Sequence, residues 1–136
     1  MFLDFKLHGN TKDLNHDELA FIIGFPAIGE DTTIFDEVAR EIKTVFTHDG
    51  LMLGDFHPRS KSPGARNPGF HPMVSPFALI VIRSISVHDI LFLQNSYSLF
   101  MEYTRYYGDL FKIGAVSLFY RDLYENAKQR FLYMKQ

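Results

Sequence analysis

Residues 31–56 read Asp31-Thr-Thr-Ile-Phe-Asp-Glu-Val-Ala-Arg-Glu-Ile-Lys-Thr-Val-Phe-Thr-His-Asp-Gly-Leu-Met-Leu-Gly-Asp-Phe56, and the spacing of apolar residues changes once along them. Ile34, Phe35, Val38, Ile42, Val45 and Phe46 recur at helical spacing and predict one apolar stripe. Asp31, Thr32 and Thr33 offer N-caps, while Asp36 and Glu37 put negative charge in the first turn, where the helix dipole favours it. Asp36 and Arg40 stand four apart and are expected to pair on the wet face. Asp49-Gly50 closes the helix with a residue that tolerates positive φ. Leu51–Phe56 then reads as a short apolar strand.

Upstream, Leu19–Phe25 is a continuous apolar run stopped by Pro26, which predicts a buried strand. Farther back, Leu3, Phe5 and Leu7 alternate with Asp4, Lys6 and His8, the period of a half-buried strand. Gly9-Asn10 marks a turn, and residues 11–18 read as loop. Downstream, Phe77–Ile85 is a β-branched strand and His88–Leu93 a helical turn. Leu99, Tyr103, Tyr107, Leu110 and Phe111 form one C-terminal helix stripe. Val116, Phe119, Tyr120, Leu123, Ala127, Phe131 and Leu132 form another. The order predicts an α+β fold: about four strands in a sheet, helices on a face, and aromatic-rich C-terminal helices.

The chain has 136 residues, 46% of them apolar, which suits one domain over 1–136 with one hydrophobic core. A net charge of −2 argues against nucleic acid or an anionic membrane surface as partner. There is no cysteine, so disulfides, thiolate nucleophiles and Cys-ligated metals are excluded. The N-terminus lacks a signal peptide's charged head and apolar stretch, and the longest apolar run falls far short of the ~18 residues that span a bilayer. A cytoplasmic protein is expected.

Between the last two strands lies Phe56-His-Pro-Arg-Ser-Lys-Ser-Pro-Gly-Ala-Arg-Asn-Pro-Gly-Phe-His-Pro-Met-Val-Ser-Pro76, which holds five of the six prolines. Unstructured connections longer than about 12–15 residues are uncommon in compact domains and are either functional or disordered. Proline stiffening, with Phe56, Phe70 and Met73 as apolar anchors, predicts an ordered loop. From Phe56 to His88 there is no Asp or Glu, whereas Arg59, Lys61, Arg66 and Arg83 contribute four positive charges. Guanidinium forks on a Gly-containing loop suit a carboxylate or phosphate. The candidate ligand-binding residues are therefore Arg59, Arg66, Asn67, His71 and Arg83, with His57 as catalytic or orienting group because imidazole titrates near neutrality.

No phosphate-binding loop, dinucleotide fingerprint, nucleophile elbow or His-Glu-x-x-His pair is present. His57, His71 and Asp55 are residue types that ligate Zn, Fe or Cu, yet their spacing does not require a metal, and none is assigned. Tyr97, Tyr103, Tyr106, Tyr107, Tyr120 and Tyr124 suit either a flat aromatic cofactor or a core with hydroxyls reaching water. The cofactor stays unassigned.

The segments Leu51-Met-Leu-Gly-Asp-Phe-His-Pro58, Asn67-Pro-Gly-Phe-His-Pro72, Ser75-Pro-Phe-Ala-Leu-Ile-Val-Ile-Arg83 and Asp89-Ile-Leu-Phe-Leu93 resemble the bacterial family called domain of unknown function 6875. The resemblance runs from about residue 2 to 111 and implies a setting in specialised-metabolite biosynthesis. The family's upstream Cys-Pro segment has no counterpart in this sequence, and Ser84 stands where the family often has His. A Phe-His pair before an apolar strand is also similar, on few residues, to the YqcI/YcgG haem proteins that hydroxylate amino-acid nitrogen. Three readings follow: a binding or catalytic domain for a small anionic metabolite, a haem- or metal-dependent oxygenase-like enzyme, and a non-catalytic protein-interaction or homodimer module.

Overall fold

The computed structural model describes residues 19–134. Strand β1 (Ala20–Phe25) leads into helix α1 (Thr33–His48), then β2 (Leu51–Phe56) and β3 (Ala78–Ser84). A 3₁₀ turn at Val87–Asp89 runs into the short helix α2 (Ile90–Leu93), followed by α3 (Tyr97–Lys112) and α4 (Leu118–Tyr133). The expected α+β class is found, with a correction in strand number: among the described residues the sheet has three antiparallel strands in the order β1-β3-β2. The strand expected at Leu3–Leu7, with the turn and loop after it, lies outside the described residues.

The Ile- and Val-rich β3 takes the centre, pairing with β1 from Ala20 opposite Arg83 to Phe25 opposite Ala78. It pairs with β2 from Leu51 opposite Ser84 to Phe56 opposite Leu79. Alternation along these strands sends side chains to two faces. Leu53, Ala78, Ile80 and Ile82 meet Phe35 and Ala39 of α1 in one core; Met52 joins the other, among Ile90, Leu93, Phe100, Tyr103, Phe111, Tyr124, Ala127 and Phe131. Helices thus cover both faces, not one. β1 was expected to be buried, but Ala20, Ile22 and Gly24 face outward, because it is the sheet edge and only Phe21, Ile23 and Phe25 reach α1.

Helix α1 is rotated from its expected stripe. Phe35, Ala39 and Thr47 are buried, whereas Ile34 and Val45 are 73% and 61% exposed. The small Ala39 allows close approach to the sheet, so packing shape outweighs the summed hydrophobicity of the neighbouring stripe. Thr32 occupies the N-cap, yet its side chain makes no cap bond; Asp31 Oδ1 instead accepts the Thr33 N–H at 3.1 Å. After α1 the chain turns at Gly50, whose φ of 79° is strained for any residue with a Cβ, and a Cβ there would also crowd the Tyr106 hydroxyl at 3.2 Å.

The C-terminal aromatics are mainly core. Phe111 stacks on Tyr124 with centroids 4.1 Å apart. Tyr103 and Tyr107 donate their hydroxyls to the carbonyls of Val87 and Ile85 at 2.6 and 2.8 Å. Burial raises the Tyr103 pKa well above that of a free phenol. Leu110, Phe119 and Leu132, expected inside, lie exposed at the flanks of their stripes. Among the described residues no helix is long and apolar enough to cross a membrane.

The rotation of α1 has a direct consequence for stability. Phe35→Ala is expected to cost about 3–5 kcal/mol in urea unfolding, and Ile34→Ala no more than about 0.5 kcal/mol. Equal losses would restore the stripe that the spacing predicts.

Candidate functional site

The long loop is ordered by its own hydrogen bonds. The His57 N–H donates to the Met73 carbonyl at 3.2 Å, and the Ser75 N–H donates back to the His57 carbonyl at 3.4 Å, so the loop is closed at its neck. Inside it, Gly64 N–H donates to Phe70 O at 2.7 Å and Phe70 N–H to Asn67 O at 3.0 Å. A Cβ on Gly64 would lie 3.0 Å from the Asn67 carbonyl, so this approach requires glycine. Met73 and Phe56 are partly buried as anchors; Phe70 is 60% exposed and anchors nothing with its ring.

His57 is the buried member of the loop, 5% exposed. Its Nδ1 accepts the Arg59 N–H at 3.2 Å, which leaves the proton on Nε2, 2.8 Å from Asp36 Oδ1. The Phe35 ring lies edge-on to it at 6.0 Å. Both nitrogens are therefore engaged, and the imidazole acts as a clasp between α1 and the loop. Asp36 pairs with His57 rather than with Arg40.

The three arginines expected to converge do not. Arg59 reaches Glu30 at 2.8 Å, with both side chains well exposed. Arg66 lies over the Phe119 ring of α4, its guanidinium carbon 4.7 Å from the centroid, a cation–π contact that pins the loop to that helix. Arg83 forks onto Asp89 at 2.6 and 2.9 Å. Asp89 is 1% exposed, also accepts the Ser86 N–H at 2.8 Å, and holds the Arg83 pKa above its ordinary value. Arg83 therefore positions α2 and is a structural residue. Asn67 turns its Oδ1 onto the Gly69 N–H at 3.1 Å, and His71 Nδ1 donates to the Ser62 carbonyl at 3.3 Å, so both shape the loop. His57, His71 and Asp55 do not assemble, and among the described residues no group of three His, Asp or Glu side chains could hold a metal ion.

A different set of cations does come together. A cleft of about 740 Å³ opens between α1, the end of β2 and the loop, lined by Arg40, Lys43, Arg59 and Lys61 around Asp36, Asp55 and His57. Lys43 Nζ lies 3.2 Å from Asp55 Oδ1, and both are partly buried. Among the described residues the Arg40 and Lys61 side chains have no ionic or hydrogen-bonded partner. Arg40 and Lys43 were not anticipated. Their signal was the helical spacing of Asp36, Arg40 and Lys43, which places all three on one side of α1.

Sheet, helices and loop together define an α+β domain with a loop-walled basic cleft. Residues 2–116 match the family model described as a domain of unknown function, DUF6875, and the chain belongs to that family. The match includes every residue named in the cleft and ends before α4. No curated protein and no solved structure matches the chain.

The structural role of Arg83 can be measured. Asp89→Ala removes a buried carboxylate with three charge-assisted bonds and should lower unfolding free energy by about 2–3 kcal/mol. That is less than for a fully enclosed pair, because Arg83 is 37% exposed. A loss under about 0.5 kcal/mol would show that the fork is a surface pair without structural weight.

Proposed function

We propose that the domain binds a small anionic metabolite in the cleft bounded by α1 and the loop. The observation that carries this reading is the placement of Arg40, Lys43, Arg59 and Lys61 around one concavity, with Arg40 and Lys61 uncommitted among the described residues. Unpaired cations at a concave surface raise the local concentration of anions and gain charge-assisted hydrogen bonds when one docks. The cleft volume falls in the range of small-molecule sites. His57 serves this site by position: it fixes the Arg59 backbone and the Asp36 carboxylate, which leaves the four cations as the groups that contact ligand. The domain thus acts by binding, in the setting of small-molecule metabolism.

The test is an NMR titration with inorganic phosphate and with citrate. Saturable shifts should appear at Arg40, Lys61 and neighbouring amides. Arg40→Ala and Lys61→Ala should each weaken binding about tenfold, the lower end for a bond to a charged group because both side chains are exposed. Arg66→Ala should leave affinity unchanged, since that guanidinium lies on Phe119. Shifts that do not saturate, or equal losses in all three variants, would reduce the cleft to a merely basic surface.

A further inference from the structure

A second cavity, of about 410 Å³, adjoins the basic cleft, and the two share Lys43, Asp55 and Ser62 in their walls. Its character is different. Beyond the shared residues its wall carries Met52, Met73, Leu91, Phe92, Phe119 and Leu123, and it contains no further charged side chain. The loop segment Pro63-Gly-Ala65 roofs it, and Gln94 and Asn95 supply the remaining polar side chains. A basic chamber thus adjoins an apolar one, with the Lys43–Asp55 ion pair in the wall they share.

From this adjacency we infer that the ligand is an amphiphilic anion: a carboxylate or phosphate head in the basic cleft and an aliphatic or aromatic tail in the apolar chamber. The inference rests on the anion-binding reading and names the class of molecule that site takes. A head group alone would leave the second chamber to water against thioether, leucine and phenyl surface, whereas a tail removes that surface from water. The shared wall also sets the head position. Lys43 already faces a carboxylate at 3.2 Å, so an incoming head competes with Asp55 for the same ammonium. Asp55 is then a positioning residue that lowers affinity for any anion at this place, and its removal should tighten binding.

Calorimetric titration of the full chain with acetate, butanoate, hexanoate and octanoate tests the inference. Affinity should rise about four-fold per methylene until the chamber is filled, then level off. Ala65→Trp, on the exposed roof, should abolish that rise while leaving acetate binding unchanged. Asp55→Asn should tighten every member several-fold, a gain that damage to the fold would not produce; circular dichroism of each variant confirms its fold. Flat affinity along the series would overturn the amphiphile and leave the anion site standing. Octanoate binding that survives Arg40→Ala with Lys61→Ala would show a tail pocket independent of the cleft, and would overturn it as well. Binding of no member, acetate included, would sink both readings.

Discussion

The His57 clasp is the constraint on which the cleft depends. One imidazole, one residue past the end of β2, bonds to α1 through Asp36 and to the loop through the Arg59 N–H, while its backbone binds Met73, Ser60 and Ser75. Only histidine carries a donor and an acceptor on one rigid ring at this separation. The ring's burial makes both bonds matter, because a buried polar group without a partner costs far more than an exposed one. Helix, sheet and loop are tied at this point, and the four cations surround it.

The two cores explain why the cavity adjoins the cleft. Met52 and Leu53, adjacent in β2, face opposite cores, so this edge strand is the sheet element common to both layers. α1 supplies the basic wall from one side, and α2 and α4 supply the apolar wall from the other. The Arg83–Asp89 fork holds the start of α2 against β3, and Arg66 on Phe119 ties the loop to α4. Two cations read from the sequence as ligand groups thus build the walls.

Much of the fold was legible because its signals are local. β2 occupies the residues that its apolar run marks, and α1 closes where Asp49-Gly50 announces it. Which face a helix buries is not local: Ala39 packs against the sheet while the larger Ile34 and Val45 stay wet. The edge position of β1 was hidden because apolar residues occupy both of its faces, leaving no alternation to read. Proximity in sequence also misled at the site. Arg59, Arg66 and Arg83 share an acid-free stretch, yet the loop's turns and the β3 register send them to Glu30, Phe119 and Asp89. The cations that do converge come half from α1, and only the tertiary closure through His57 brings them to the loop.

The most direct test of that closure is amide hydrogen exchange in Asp36→Ala. Loss of the carboxylate should speed exchange at Gly64, Phe70 and Ser75 while the amides of β3 stay protected, because the loop loses its clasp and the sheet does not. Loop amides that exchange as slowly as in the unaltered protein would mean that the histidine does not hold the loop, and the cleft would need another foundation.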